Sequence, residues 1–179
     1  MGNKEFIQLS VRNFMQRIGP YYPVNLQQIA QILKADIYYR GDMPNNVNGA
    51  TIPFHDGSYI IAIKSRQSIF NERFAIAQEI AHIVLGHCAS GIIITSLYER
   101  YDQGTFTYDW ESYAFALEML VPLEELRLTL AAHEVLDIDK LCTLYGVSGE
   151  IIKTRLNEID AFRFNAPMPH TLSLISCKT

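Results

Sequence analysis

Residues 71–86 form the segment that most constrains the fold. Their sequence, NERFAIAQEIAHIVLG, has the length of an α-helix but carries apolar side chains around nearly its whole circumference. Such a helix is stable only when other elements surround it, so the rest of the chain must supply the layers that cover it. The sequence therefore predicts a helix at the centre of the protein.

Three polar residues interrupt this apolar surface, namely Gln78, Glu79 and His82. Burying an ionisable group without a partner costs several kcal/mol. Something must therefore compensate Glu79 and His82, and a solvent-filled cleft, a cation and a hydrogen-bond network remain open as alternatives. Residues four apart lie on the same face of a helix, so Gln78 and His82 share a face.

The other segments mix helical and β patterns without regular alternation. Asp56-Gly57 separates two β-like runs and predicts a hairpin, which favours a mixed α+β fold over a doubly wound parallel sheet. The predicted helices cover 4–18, 26–33, 71–86, 109–120 and 138–145, with one more after Pro122 and one after Ser148, and the predicted strands cover 35–39, 50–54, 59–63 and 92–95.

Composition and charge exclude several classes of protein. The chain has 179 residues, of which 49% are hydrophobic, and 15 Lys+Arg against 19 Asp+Glu give a net charge of -4. Intrinsic disorder is excluded, and the acidic balance argues against direct nucleic-acid binding. No apolar run approaches the roughly 20 residues of a membrane span, and charges interrupt any secretory signal at the N-terminus. Three widely spaced cysteines form no CxxC pair, so we expect free thiols in a cytoplasmic protein.

The run Gln78-Glu79-Ile80-Ala81-His82 nearly matches the zinc-peptidase pattern H-E-x-x-H. In that pattern two imidazoles hold a metal, and the Glu between them activates the water bound to it. The general-base position and the second ligand are present here, whereas the first ligand has become Gln. Alone, this match is a weak signal.

The surrounding chain strengthens it. RFAIAQEIAHIVLGH, at residues 73–87, resembles the RFTLAHELGHLLLGH-like segment of the ImmA/IrrE family of metallopeptidases. DWESYAFA, at 109–116, is similar to that family's E-x-x-A-N-x-F-A helix, and the resemblance spans about residues 10–160. It implies a zincin-like α+β fold, in which a small mixed or antiparallel sheet packs on the motif-bearing helix between helical N-terminal and C-terminal parts. It further implies one domain over 1–165, with the helix–turn–helix-like segment 137–160 inside it. From residue 166 the sequence has no clear pattern, which predicts an irregular tail at 166–179.

The resemblance assigns a role to four residues. Glu79 falls on the general base, His82 on a zinc-ligand histidine, Asp109 on the third-ligand carboxylate, and Gln78 on the missing first histidine. An amide oxygen is a poorer zinc donor than imidazole, and even the loss of a group that only hydrogen-bonds to a ligand commonly costs about 10–100-fold in affinity or activity. The implied cofactor is therefore zinc, held at a weakened site.

Two functional hypotheses follow from the resemblance. The first is a metallopeptidase-like protein that acts on or binds a helix–turn–helix transcriptional repressor, and so regulates a mobile element or a stress response, with activity impaired by the incomplete motif. The second is an inactive pseudo-peptidase that serves as a protein-binding regulatory module. A toxin–antitoxin role is not separated from these. Five positions beyond His82, His87 is expected to point away from the site and to form hydrogen bonds at the helix end.

Overall fold

The computed structural model of the chain describes residues 3–19, 21–96, 108–132 and 137–163. Cys177 and the predicted tail 166–179 lie outside the described residues. The helices are α1 (Asn3–Met15), α2 (Leu26–Ile32), α3 (Ile69–Val84), α4 (Tyr108–Leu120), α5 (Leu123–Ala132), α6 (Ile138–Tyr145) and α7 (Gly149–Arg163), and the strands are β1 (Ala35–Arg40), β2 (Val47–Pro53), β3 (Tyr59–Lys64) and β4 (Ile93–Ser96). A short 3-10 helix, His87–Ser90, lies between α3 and β4.

The described strands form one mixed sheet in the order β1-β3-β2-β4. β1 runs parallel to β3, whereas β2 is antiparallel to both β3 and β4. The hairpin at Asp56-Gly57 is confirmed, because Phe54 N–H donates to Ser58 O at 2.9 Å and Gly57 takes a φ of 81°. A mixed sheet packed on α3, with further helices before and after it in the chain, is the α+β architecture that the sequence predicted.

Helix α3 lies at the centre of the protein, as its apolar circumference required. Every residue from Ala75 to Ile83 is buried, because the sheet covers one side of the helix and α4 packs against another. The helix begins two residues earlier than predicted, since the Ser68 side chain caps it by accepting the Asn71 N–H at 3.2 Å. It also ends earlier, at Val84, because Gly86 reverses the chain with a φ of 76°.

Strand β2 carries a bulge that shapes its contact with α3. The pairing with β4 shifts between Val47 and Gly49, which makes Asn48 the extra residue of the bulge. Gly49 then faces α3 so closely that a Cβ at this position would collide with the Glu79 carboxylate. The missing side chain of Gly49 therefore lets the sheet and the motif-bearing helix approach each other.

The helix–turn–helix-like segment is joined to the core by its own side chains. Asp137 caps α6 by accepting the Lys140 N–H at 2.8 Å, and Leu141, Tyr145 and Ile152 are buried in the same hydrophobic cluster as α3. Buried Arg155 donates to Val121 O at 2.7 Å. Packing of these helices against the domain accounts for the apolar positions of the segment. None of the described helices combines the length and apolarity that crossing a membrane requires.

Candidate functional site

Helix α3 buries all three polar residues of the motif. Gln78 is 3% exposed, and Glu79 and His82 are fully buried. The first turn of α4 brings Asp109 towards them, so that His82 Nε2 lies 3.9 Å from Asp109 Oδ1. The structure thus brings together the two predicted ligands that lie on different helices.

Glu79 faces the sheet. Its Oε2 accepts the Thr51 hydroxyl at 2.7 Å, whereas its Oε1 is buried and finds no hydrogen-bond partner among the described residues. Burial raises the pKa of Glu79 to about 7, while hydrogen bonds from Thr95 and Thr51 work against this rise and nearby Asp109 adds to it. A carboxyl with this pKa can take up or release a proton near neutral pH, which is the property a general base needs.

A chain of hydrogen bonds fixes the orientation of His82. His87 Nε2 lies 2.9 Å from Glu111 Oε2, and His87 Nδ1 lies 2.9 Å from His82 Nδ1. Ionised Glu111 can only accept, so His87 Nε2 carries hydrogen and, in a neutral ring, His87 Nδ1 accepts from His82 Nδ1. Burial, with the charge of His87 as a smaller cause, lowers the pKa of His82 to about 3, so this ring is neutral.

The consequence is that His82 Nε2 carries a lone pair. This atom faces Asp109 and lies 3.3 Å from the Thr95 hydroxyl, whose single hydrogen can be donated either to it or to Glu79. A lone pair on Nε2, with Nδ1–H held by a partner, is the state in which a histidine coordinates a metal. The ring is therefore prepared as a ligand or as a hydrogen-bond acceptor.

The prediction that His87 points away from His82 was wrong, although its hydrogen bonding at the helix end is confirmed. A spacing of five residues separates the two side chains only if α3 continues to residue 86, whereas Gly86 turns the chain and the 3-10 helix brings His87 back. Sequence reasoning also missed the two hydroxyl partners, Thr51 and Thr95, which lie on neighbouring strands. Gly86, in the position of a C-terminal helix cap, was the signal that could have indicated the return of His87.

Gln78 lies one turn before His82 and lines a cavity of about 330 Å³ between α3, α4 and the start of α7. Three further carboxamide residues line the same cavity, namely Asn48, Gln67 and Asn71. We call this cavity the carboxamide pocket. It extends along the face of α3 that carries the predicted metal ligands.

The residues present do not fit a catalytic zinc centre. Such a centre uses three protein ligands, drawn from His, Cys and carboxylate, and keeps one position open. His82 and Asp109 supply two, but the third predicted ligand, Gln78, is a neutral amide. Within the part of the chain that the structure describes, no three His, Cys, Asp or Glu residues form a group that could hold a metal ion.

Comparison with known proteins gives three findings. A solved structure titled "Mycobacterium tuberculosis transcriptional regulator" matches with a TM-score of 0.60 at 15% identity, over 86% of this chain and 46% of that one. The chain thus spans less than half the length of that protein, and the likeness shows the fold alone. No curated protein matches the chain significantly.

The sequence profile of the peptidase M78 family, described as the IrrE N-terminal-like domain, matches residues 30–157, which include Gln78, Glu79, His82 and Asp109. The chain therefore belongs to the IrrE N-terminal-like domain family of M78 peptidases, as the resemblance in its sequence indicated.

Proposed function

We propose that the chain is a regulatory member of this family that binds a polypeptide in the cleft beside α3 and has lost efficient peptidase activity. The donor set is the observation that carries the proposal. His82 Nε2 and Asp109 Oδ1 lie 3.9 Å apart, as two ligands of one ion could, but an amide stands where the family pattern has its first imidazole. With two strong donors the site binds zinc too weakly to keep it loaded.

The proposed partner is a helix–turn–helix transcriptional repressor, as the family resemblance implies. Binding it would regulate a mobile element or a stress response. The transcriptional regulator that shares the fold supports a role of this kind. We do not expect direct nucleic-acid binding, because the formal net charge of the chain is -4. Packing in the hydrophobic core already accounts for the apolar residues of the helix–turn–helix-like segment.

A second candidate function is a weak, metal-dependent peptidase of cytoplasmic repressors. Two observations favour it: the lone pair of His82 Nε2 points towards Asp109, and the pKa of Glu79 is about 7. The family is typically zinc-dependent, and the Gln78 amide oxygen would have to serve as the third donor. The general-base position is still occupied by Glu79 although the ligand set is incomplete, which is a further reason to test this candidate.

Incubation with a purified helix–turn–helix repressor distinguishes the two functions. We expect wild type to form a complex with intact repressor whether or not zinc is added. Cleavage should appear only in Gln78→His with zinc, and should disappear in the double variant Gln78→His with Glu79→Gln. Zinc-dependent cleavage by wild type that Glu79→Gln abolishes would instead establish the second candidate. The absence of both complex formation and cleavage would contradict the proposal.

A further inference from the structure

The carboxamide pocket is a feature that the metal-ligand pattern does not explain. Its volume of about 330 Å³ lies at the small end of ligand-binding pockets, which suits one or two side chains rather than a large cofactor. Phe74 and Ile151 add apolar surface to the walls, and Tyr113 and Thr154 share a hydrogen bond across them. Gln67 is held in place because its Nε2 donates to Lys64 O at 3.0 Å.

The charge of the pocket limits what can bind. Among the described residues that line it, none is Lys or Arg, and Glu150 at the exposed rim supplies the one carboxylate. A phosphate or carboxylate entering the pocket would lose hydration without meeting a cation. Anionic ligands are therefore disfavoured, and neutral hydrogen-bonding groups are favoured.

One carboxamide of the pocket is left incomplete. Asn48 is the extra residue of the β2 bulge, and its Oδ1 is buried without a hydrogen-bond partner in the described parts of the chain. A buried acceptor with no donor is energetically costly, and bulges frequently aim a side chain at a functional site. The bulge thus places Asn48 in the wall of a cavity large enough for a ligand, while its Oδ1 itself is covered by protein.

We infer that the carboxamide pocket binds a Gln or Asn side chain of the bound polypeptide. A carboxamide offers a donor and an acceptor side by side, so it can pair with the four carboxamide side chains that line the pocket. The stem of the ligand side chain packs on Phe74 and Ile151. The inference rests on the proposed function in one respect, because it takes the bound molecule to be a polypeptide.

The direct test uses N-acetyl-glutamine amide as the probe, followed through the side-chain NH₂ signals in nitrogen–proton correlation spectra. We expect saturable shifts of the Asn48 and Gln78 signals. N-acetyl-glutamate amide should bind about tenfold more weakly or worse, because its carboxylate would be buried without a cation. Absence of shifts up to the solubility limit of the probe, or equal binding of the two probes, would overturn the inference.

Asn48→Leu is the variant that isolates the pocket. Replacing an unsatisfied buried amide by an apolar side chain should leave the free energy of unfolding unchanged or raise it, while abolishing binding of the glutamine probe. Asn45→Leu, an exposed substitution in the preceding loop, is the matched control and should bind normally. Binding by Asn48→Leu at the wild-type level would contradict the assignment.

A random peptide library displayed on phage separates this inference from the proposed function. Peptides enriched by wild type should share Gln or Asn at one position, and that preference should vanish with Asn48→Leu. Enriched peptides without such a preference would overturn the inference and leave the proposed function standing. Binding of the glutamine probe without enrichment of any peptide would support the pocket and contradict the proposed function.

Discussion

At the scale of single residues, Glu79 and His82 oppose each other in their dependence on pH. Burial raises the pKa of Glu79 from 4.5 to about 7, so its contribution to stability is complete below pH 4.5 and is lost as the pH rises towards 7. Burial lowers the pKa of His82 from 6.5 to about 3, so its contribution is present above pH 6.5 and is lost as the pH falls towards 3. Between pH 4.5 and 6.5 both groups contribute with opposite sign, so over that interval the free energy of unfolding should change little with pH.

Glu79→Gln removes the pH dependence that Glu79 contributes to stability and leaves that of His82 in place. Because the substituted amide carries no charge at any pH, the variant should be about 3 kcal/mol more stable than wild type near pH 8 and less than about 1 kcal/mol more stable near pH 5. Urea unfolding at both pH values measures the difference, and the contribution of His82 cancels in the comparison. Equal differences at the two pH values would show that Glu79 does not titrate as its burial requires.

The candidate site could be predicted only in part at this scale. Spacing along one helix was enough to put Gln78 and His82 on a common face and to mark Glu79 as a buried acid. Pairs that depend on tertiary folding carried no such signal, as with the Thr51 hydroxyl on Glu79 and the contact between His82 and His87. The family resemblance, rather than any local pattern, indicated that Asp109 approaches His82.

At the scale of elements, α7 is held to α4 by a buried cation. Arg155 is 2% exposed, and it pairs with Glu118 and Glu158 while donating to the Val121 carbonyl. The sequence could not indicate this role, because in the sequence Arg155 resembles any basic residue of a surface helix. Only the folded chain brings carboxylates from α4 and α7 to it. The caps at Asn25 and Asp137 and the turn at Gly146, by contrast, can be recognised from local sequence, since each acts on backbone groups within a few residues.

Removing this cation should be costly. Arg155→Ala leaves the Glu118 carboxylate mostly buried without its partner, and we expect the free energy of unfolding to fall by about 3–5 kcal/mol. Lys153→Ala, an exposed position two residues earlier, is the control and should change stability by less than about 0.5 kcal/mol. Denaturant unfolding measures both variants. A loss of similar size in the two variants would refute the anchoring role of Arg155.

At the scale of the whole molecule, the fold follows from the need to cover α3. The sheet, α2 and α4 all contact this helix, and of its three polar motif residues Gln78 lines the carboxamide pocket, whereas Glu79 and His82 are fully buried. The central position of α3 could be predicted, because apolar side chains around its whole circumference require burial on all sides. The α+β class could be predicted from the mixture of helical and β patterns along the chain. The order of the strands could not, since the parallel pairing of β1 with β3 depends on contacts between segments distant in sequence.

The proposed function requires that a site with Gln78 in place of the first histidine does not hold a catalytic metal. The zinc content of purified, dialysed protein, measured by elemental analysis after loading with excess zinc, tests it most directly. We expect close to no bound zinc in wild type and in Gln28→His, an exposed control on α2, and about one zinc per chain in Gln78→His. About one tightly held zinc per wild-type chain, or no gain in Gln78→His, would contradict the claim.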